Sequence, residues 1–321
     1  MRKKIRCQRL LWSLLSMGIL LTLLCVSLTS CSVWQKLWER PVLTDVPNEL
    51  LLIPEPEEAT EALLVFEDAV EYTGKPHNGT NIRYNGTGDK RDKIIVIDAG
   101  HQAVGNNEQE PVGPGASEMK DKVTYGAEGI FTKQEEHELN LKVALCLRDE
   151  LIKRGYSVVM IRETAEVDIS NLERAELANA CEGDAFIRIH ANSYDDPDMK
   201  GAMALCHTPN NPYPDCAAHY RESRLLSEYI LNAYCETTKM DQLPIREVDT
   251  YTGTNWSQVP TTILEMGFLS NASDDVDMSF DTFHPAAAEG IADGLDAYFA
   301  TLDAADETTS EGSPKSQTNE P

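Results

Sequence analysis

The chain has 321 residues, 28 basic against 53 acidic side chains, a formal net charge of −25 and 41% hydrophobic residues. That length holds one large domain or two small ones with an ordinary buried core. A surface this acidic repels nucleic-acid phosphates, so no nucleic-acid partner is expected, and solubility suffices to explain the charge.

Residues 1–30 carry Arg2, Lys3, Lys4, Arg6 and Arg9, followed by a mostly apolar, uncharged run from Leu10 to Leu28. This is the pattern of a secretory signal; the alternative is an uncleaved transmembrane helix, since about 20 apolar residues span a bilayer. The run ends in Leu28-Thr29-Ser30-Cys31, which resembles a bacterial lipobox, in which the cysteine is acylated and becomes the mature N-terminus. Either reading puts the rest of the chain outside the cytoplasm, held to the membrane. Without the five leader cations, 23 basic residues face 53 acidic ones, a balance near −30. Of the eight cysteines, Cys146, Cys181, Cys206, Cys216 and Cys235 remain beyond the lipobox; none forms a C-x-x-C pair, which argues against a disulfide framework or a cysteine zinc site. Cys206 and Cys216 are either a single loop-closing pair or buried thiols.

Residues 31–92 are acidic and broken by Pro41, Pro47, Pro54, Pro56, Gly74, Pro76, Gly79, Gly86 and Gly88, the composition of a linker, with Ala62–Phe66 as a possible local strand. Residues 93–302 form the expected single folded domain, and residues 303–321, rich in Asp, Glu, Ser, Thr and Pro, read as a disordered acidic tail.

Within the domain, Lys93-Ile-Ile-Val-Ile-Asp-Ala-Gly-His101 is a strand, a tight turn and a histidine at its tip. A long polar loop, 102–125, follows, and a loop of that length inside a compact domain is usually functional or mobile. Leu139, Val143, Leu147 and Leu151, spaced by four, predict a helix over 135–154 stopped by Gly155. Strands are expected at 156–161, 185–190, 201–207 and 260–265, with helices at 172–180, 217–238 and 284–302. Alternation of this kind predicts an α/β fold: a mainly parallel twisted sheet flanked by helices on both faces.

His101 alone is an ordinary surface histidine. But a second strand ends in His190 and a third in Glu265, while Glu136 opens the first helix. In an open α/β sheet, ligands bind at the carboxyl ends of the strands, so these four residues gather at one edge. Two imidazoles and a carboxylate with one open position are the donor set of a catalytic zinc, and a remaining carboxylate can act as its base; the reaction suggested is metal-assisted hydrolysis of an amide.

These residues resemble the zinc-dependent N-acetylmuramoyl-L-alanine amidases, which cut the bond between muramic acid and the peptide stem of peptidoglycan. Ile97-Asp-Ala-Gly-His101, Gly126-Ala-Glu-Gly129 followed by Glu136, Ile189-His-Ala-Asn192 and Ile263-Leu-Glu-Met-Gly-Phe-Leu-Ser-Asn271 are similar to four ordered motifs of that family, covering the chain from Lys93 to Leu302. The resemblance implies that His101, Glu136 and His190 bind one zinc ion and that Glu265 activates the water. It selects Glu136 over Glu135 and Glu138 because the family places a leucine five residues after its ligand, here Leu141. Asn192 either binds substrate or orders its turn. Arg162, Arg174 and Asn179 also match family positions, with structural ion pairing the expected role of the arginines; His137, His207, His219 and His284 match none. The chain departs from the family at Gln102, where many members have a second glycine, and in the long loop after it.

The expected protein is therefore a lipid-anchored peptidoglycan amidase on the outer face of the bacterial membrane, with no particular regulatory protein partner indicated. The alternatives are a non-catalytic envelope lipoprotein that binds peptidoglycan or regulates another hydrolase, and a zinc peptidase acting on the stem.

Overall fold

The run Ile94–Ala99 lies at the centre of the fold, with Ile95 to Ala99 fully buried. A computed structural model describes residues 82–84 and 90–311, with side chains over 90–305. In chain order the elements are β1 (Ile82–Tyr84), β2 (Ile94–Ala99), β3 (Asn106–Pro111), β4 (Met119–Val123), α1 (Glu136–Lys153), β5 (Ser157–Met160), α2 (Asn171–Ala180), β6 (Ala185–Asn192), β7 (Met203–Cys206), α3 (Pro214–Ala217), α4 (Tyr220–Thr238), β8 (Arg246–Glu247), α5 (Thr252–Asn255), β9 (Thr261–Phe268), α6 (Ala272–Met278) and α7 (Phe283–Glu311).

Seven strands form one sheet in the order β1-β5-β2-β6-β9-β7-β8. The four central strands β5, β2, β6 and β9 run parallel. At the margins β1 is antiparallel to β5, and β7 is antiparallel to β9 and carries β8 with it. The fold is thus an α/β domain with a mostly parallel sheet, as the alternation of elements predicts. Side chains alternate across it with the two-residue strand period. Ile95 and Ile97 enter a core built with α1, α4 and α7, whereas Val96 turns to the opposite face with Phe186, Ala175 and Ala178 of α2. Leu139, Val143, Leu147 and Leu151 of α1 are all buried in the first core, each worth about 1.5–3 kcal/mol. The helix ends where Gly155, at φ 87°, donates its N–H to Ile152 O while Tyr156 N–H reaches Leu151 O. This is the left-handed glycine stop foreseen there.

Five features differ from the sequence reading. Residues 102–125 are not structureless: they contain the antiparallel β3–β4 hairpin. β1 lies inside the segment read as linker, and α7 runs to Glu311, past the domain end expected at 302. The fourth strand runs antiparallel to its neighbour, and the helix expected from 217 starts at Tyr220 after the separate short α3. The leader, Cys31 and the Ala62–Phe66 segment lie outside the described residues. All five described cysteines are free thiols.

The carboxyl end of β2 is held by buried charge. Asp98 accepts from Arg174 Nη1 at 2.6 Å and from Arg188 Nε at 2.9 Å, and all three side chains are almost fully buried. Arg174 also donates to Ala99 O and His101 O, each at 3.1 Å, and Arg162 donates to Ala99 O (2.7 Å), Gly100 O (3.0 Å) and His137 O (2.7 Å). Two guanidiniums therefore satisfy every carbonyl of the turn that carries His101. Of the arginines expected to form ion pairs, Arg174 does so, whereas Arg162 bonds backbone carbonyls.

Burial disfavours ionisation of Asp98, yet the guanidiniums of Arg174 and Arg188 outweigh it and hold its carboxyl well below the ordinary value of 3.8. A depressed carboxyl contributes stability above its unfolded pKa and loses it as pH falls toward the folded one. Asp98→Asn should cost about 3–5 kcal/mol in denaturant unfolding. The variant should also lose less stability than the parent between about pH 4 and pH 2.

Candidate active site

Gly100 and His101 form the turn after β2, and the local backbone explains why glycine precedes the histidine. A Cβ on Gly100 would lie 2.2 Å from His190 Cε1, so only a glycine lets the β6 imidazole pass over this turn. His101 itself adopts φ 62°, a left-handed conformation held by the arginine bonds to its neighbouring carbonyls. Its Nδ1 lies 3.0 Å from Thr124 O, an atom that only accepts, so Nδ1 carries the proton and Nε2 presents its lone pair inward. Thr124 directly follows β4, so the end of the hairpin sets the orientation of His101.

Glu136 sits at the start of α1 between the two imidazoles. Its Oε1 is 3.0 Å from His101 Nε2 and 3.2 Å from His190 Nδ1, and the two rings meet edge to face with centroids 4.7 Å apart. The backbone N–H groups of Ala191 (3.1 Å, to Oε1) and Ala127 (2.8 Å, to Oε2) hold the carboxylate, and Gly126, at φ 96°, leaves room beside it. Burial opposes the charge on Glu136, but its contacts with the two histidines outweigh it and hold its carboxyl well below the usual glutamate range; burial pushes His190 down to about 4. The donor atoms of His101, Glu136 and His190 all lie within 4.8 Å of one another, and the buried Nε2 of His190 meets no protein partner. Two imidazoles and an ionised carboxylate, converged and otherwise underused, fit a metal ion. A second group, Glu135, His137 and Glu138, also clusters, but both of its carboxylates are exposed.

Glu265 stands directly opposite His190 in the parallel β6–β9 register. It is 9% exposed, its Oε2 has no protein partner, and burial, reinforced by the charge of Glu136 and offset by Arg188, pushes its carboxyl up to about 8. His101, Glu136, His190 and Glu265 line one cleft of about 330 Å³, whose walls come from Lys120 and Asp121 of β4, Asn192 at the end of β6 with Ser193 beyond it, and Thr250–Thr252. The four residues singled out in the sequence are thus brought together, and Glu135 and Glu138 point elsewhere.

Asn192 lines the cleft and also orders its turn, its Oδ1 accepting from Ser193 N–H at 2.8 Å. Asn179 is structural, bonded to Trp256 O and to Gln258 N–H. His137, His207 and His284 are buried away from the cleft, and His219 precedes α4. Sequence reasoning missed the hairpin residues, Tyr251 and Arg188. Arg188 carried a readable signal: it stands two residues before His190 on a strand, and so on the same face.

A family model described as N-acetylmuramoyl-L-alanine amidase matches residues 95–297. YqiI of Bacillus subtilis (strain 168) is 27% identical over 207 residues, covering 64% of this chain and 85% of that protein. The N-acetylmuramoyl-L-alanine amidase LytC of the same organism is 26% identical over 164 residues, 51% of this chain; the chain spans only 31% of LytC. The solved catalytic domain of CwlV, an N-acetylmuramoyl-L-alanine amidase from Bacillus (Paenibacillus) polymyxa var. colistinus, is 25% identical with a TM-score of 0.52, covering 65% of this chain and 98% of that domain. The amidase Ami1 from Mycobacterium smegmatis, 21% identical with a TM-score of 0.59 over 66% of this chain and 99% of its own, shares the fold. Because the family match runs from β2 into α7 and takes in every element that builds the cleft, this chain belongs to the N-acetylmuramoyl-L-alanine amidase family.

Proposed function

We propose that the protein is a peptidoglycan hydrolase that cleaves the amide between N-acetylmuramic acid and the L-alanine of the stem peptide, with one zinc ion held by His101, Glu136 and His190. The observation that carries this reading is the convergence of those three side chains beside a buried, unpartnered Glu265 carboxyl. Zinc, when bound, supplies a Lewis acid that polarises the amide carbonyl and makes water acidic enough to attack near neutral pH.

The chain's own residues do the rest. Thr124 keeps the His101 proton on Nδ1, and the Ala127 and Ala191 amides hold the Glu136 carboxylate in orientation. Glu265, with a carboxyl near 8 in the metal-free site, is suited to take a proton from the attacking water and hand it to the leaving nitrogen of L-alanine. Its unpartnered Oε2 is the atom for that exchange.

Among the described residues no helix is long and apolar enough to cross a membrane. We place the protein in the cell envelope, tethered through a lipid on Cys31. Mass spectrometry of the full-length product from membranes should show acylated Cys31 at the N-terminus; an intact Met1 terminus overturns the tether.

Glu265→Ala should reduce hydrolysis of purified peptidoglycan by about 10²–10⁴-fold while leaving one zinc per chain. The parent should release intact stem peptides beginning with L-alanine; shortened stems identify a peptidase instead, and zinc binding without any hydrolysis supports a non-catalytic envelope role. Gly100→Ala, which drives a methyl group into the His190 ring, should weaken zinc binding by about 10–100-fold at unchanged far-ultraviolet circular dichroism.

A further inference from the structure

Among the described residues that line the cleft, Arg188 is the one buried cation, and the fold leaves one of its donor nitrogens without an acceptor. Its Nε is bound by Asp98 at 2.9 Å and its Nη2 donates to Asn171 Oδ1 at 2.7 Å, so the guanidinium is locked in one plane. Nη1 meets no acceptor among the described residues. It lies against Gly253 of α5, where an added Cβ would come within 2.7 Å, so the backbone there is shaped to the guanidinium edge. Asp98 already receives Arg174 at 2.6 Å, and Arg162 shares the Ala99 carbonyl with Arg174. Of these three guanidiniums, Arg188 is the one that lines the cleft. In a chain of net charge −25 this is not a background of surface lysines.

Its position defines what it reads. Arg188 and His190 share a face of β6 two residues apart, about 6.6 Å along the strand. An extended peptide advances about 3.3–3.6 Å per residue, so a ligand whose scissile amide sits at the metal centre places the residue after L-alanine within reach of Arg188. A planar, fixed fork with donors to spare suits a carboxylate oxygen better than a neutral amide.

We propose that Arg188 is a specificity-determining residue that binds a free carboxylate on the stem residue directly following L-alanine, so that the enzyme discriminates against stems in which this carboxylate is amidated. The inference rests on the amidase reading and names the substrate form that this cleft selects. Lys120 also lines the cleft, where its ammonium donates to Thr250 O.

The test compares two muramyl peptides that differ only in whether that carboxylate is free or amidated. The parent enzyme should favour the free acid in kcat/KM by about 10-fold to 100-fold, mostly through KM. Arg188→Gln should raise KM on the acid and bring the two substrates together, and Arg188→Lys should recover part of the preference. Equal treatment of both substrates by the parent, or an equal loss on both in the variants, overturns the proposal and assigns Arg188 to holding Asp98. Thermal melting confirms that each variant is folded. Calorimetric titration of the two released stem peptides into metal-free parent protein gives a readout that does not depend on hydrolysis. Preference for the acid there upholds Arg188 even if no muramyl peptide is cleaved, which is the result that sinks the amidase reading alone.

Discussion

A single buried carboxylate organises the catalytic edge of this domain. Asp98 cannot be solvated, so it must be paired, and its two partners come from α2 and β6. Pairing pins Arg174 where it also reaches the carbonyls of Ala99 and His101, and pins Arg188 in the cleft floor. The turn bearing the first histidine is thereby tied to a helix and a strand that are distant in sequence. The His101–Glu136–His190 cluster inherits its rigidity from an ion cluster one layer below it, which matches the general need for a site built on fixed elements rather than on loops.

The same edge shows how little room the chemistry leaves to side chains that do not take part. Gly100 lets one imidazole lie over the turn of the other, and Gly253 lets a short helix lie flat against a guanidinium. In both places the missing methyl group brings two polar groups together that would otherwise be held apart. Glu136 and Glu265 then divide their labour through environment. One accepts backbone N–H bonds and stays charged, while the other faces the cleft with an unpaired oxygen and holds its proton to higher pH.

The parts of this site that were legible in the sequence are those where local pattern and tertiary role coincide. The apolar run before His101, the four-residue apolar spacing of α1 and its glycine stop are short-range signals, and the first two place His101 and Glu136 at element ends. Glu136 could be singled out from Glu135 and Glu138 only through family resemblance, because all three suit the first turn of a helix. The β3–β4 hairpin was illegible because Asn106–Pro111 is polar and lacks β-branched residues; its strand form depends on pairing with β4 and on docking. β1 is three residues long, too short to carry a period. The reversed direction of β7 follows from its pairing with β9 rather than from anything in Met203–Cys206. The pairing of Arg188 with Asp98 joins residues ninety positions apart, so no local pattern announces it.

The hairpin that occupies the long segment after His101 is fastened along its length. Glu110 accepts from Leu172 N–H, Pro111 O from Trp256 Nε1, Val112 O from Asn255 Nδ2 and Lys122 O from Asn171 Nδ2. A segment anchored to two helices behaves as masonry rather than as a door. The cleft is therefore of fixed width on that side, and a polymer that fits it can be engaged and released without the hairpin swinging aside. Because Thr124 at the foot of that wall also aims His101, a change in the length of the insertion would re-aim that imidazole as well as reshape the groove. Its size is accordingly a coupled property of binding and chemistry, and the two cannot drift independently.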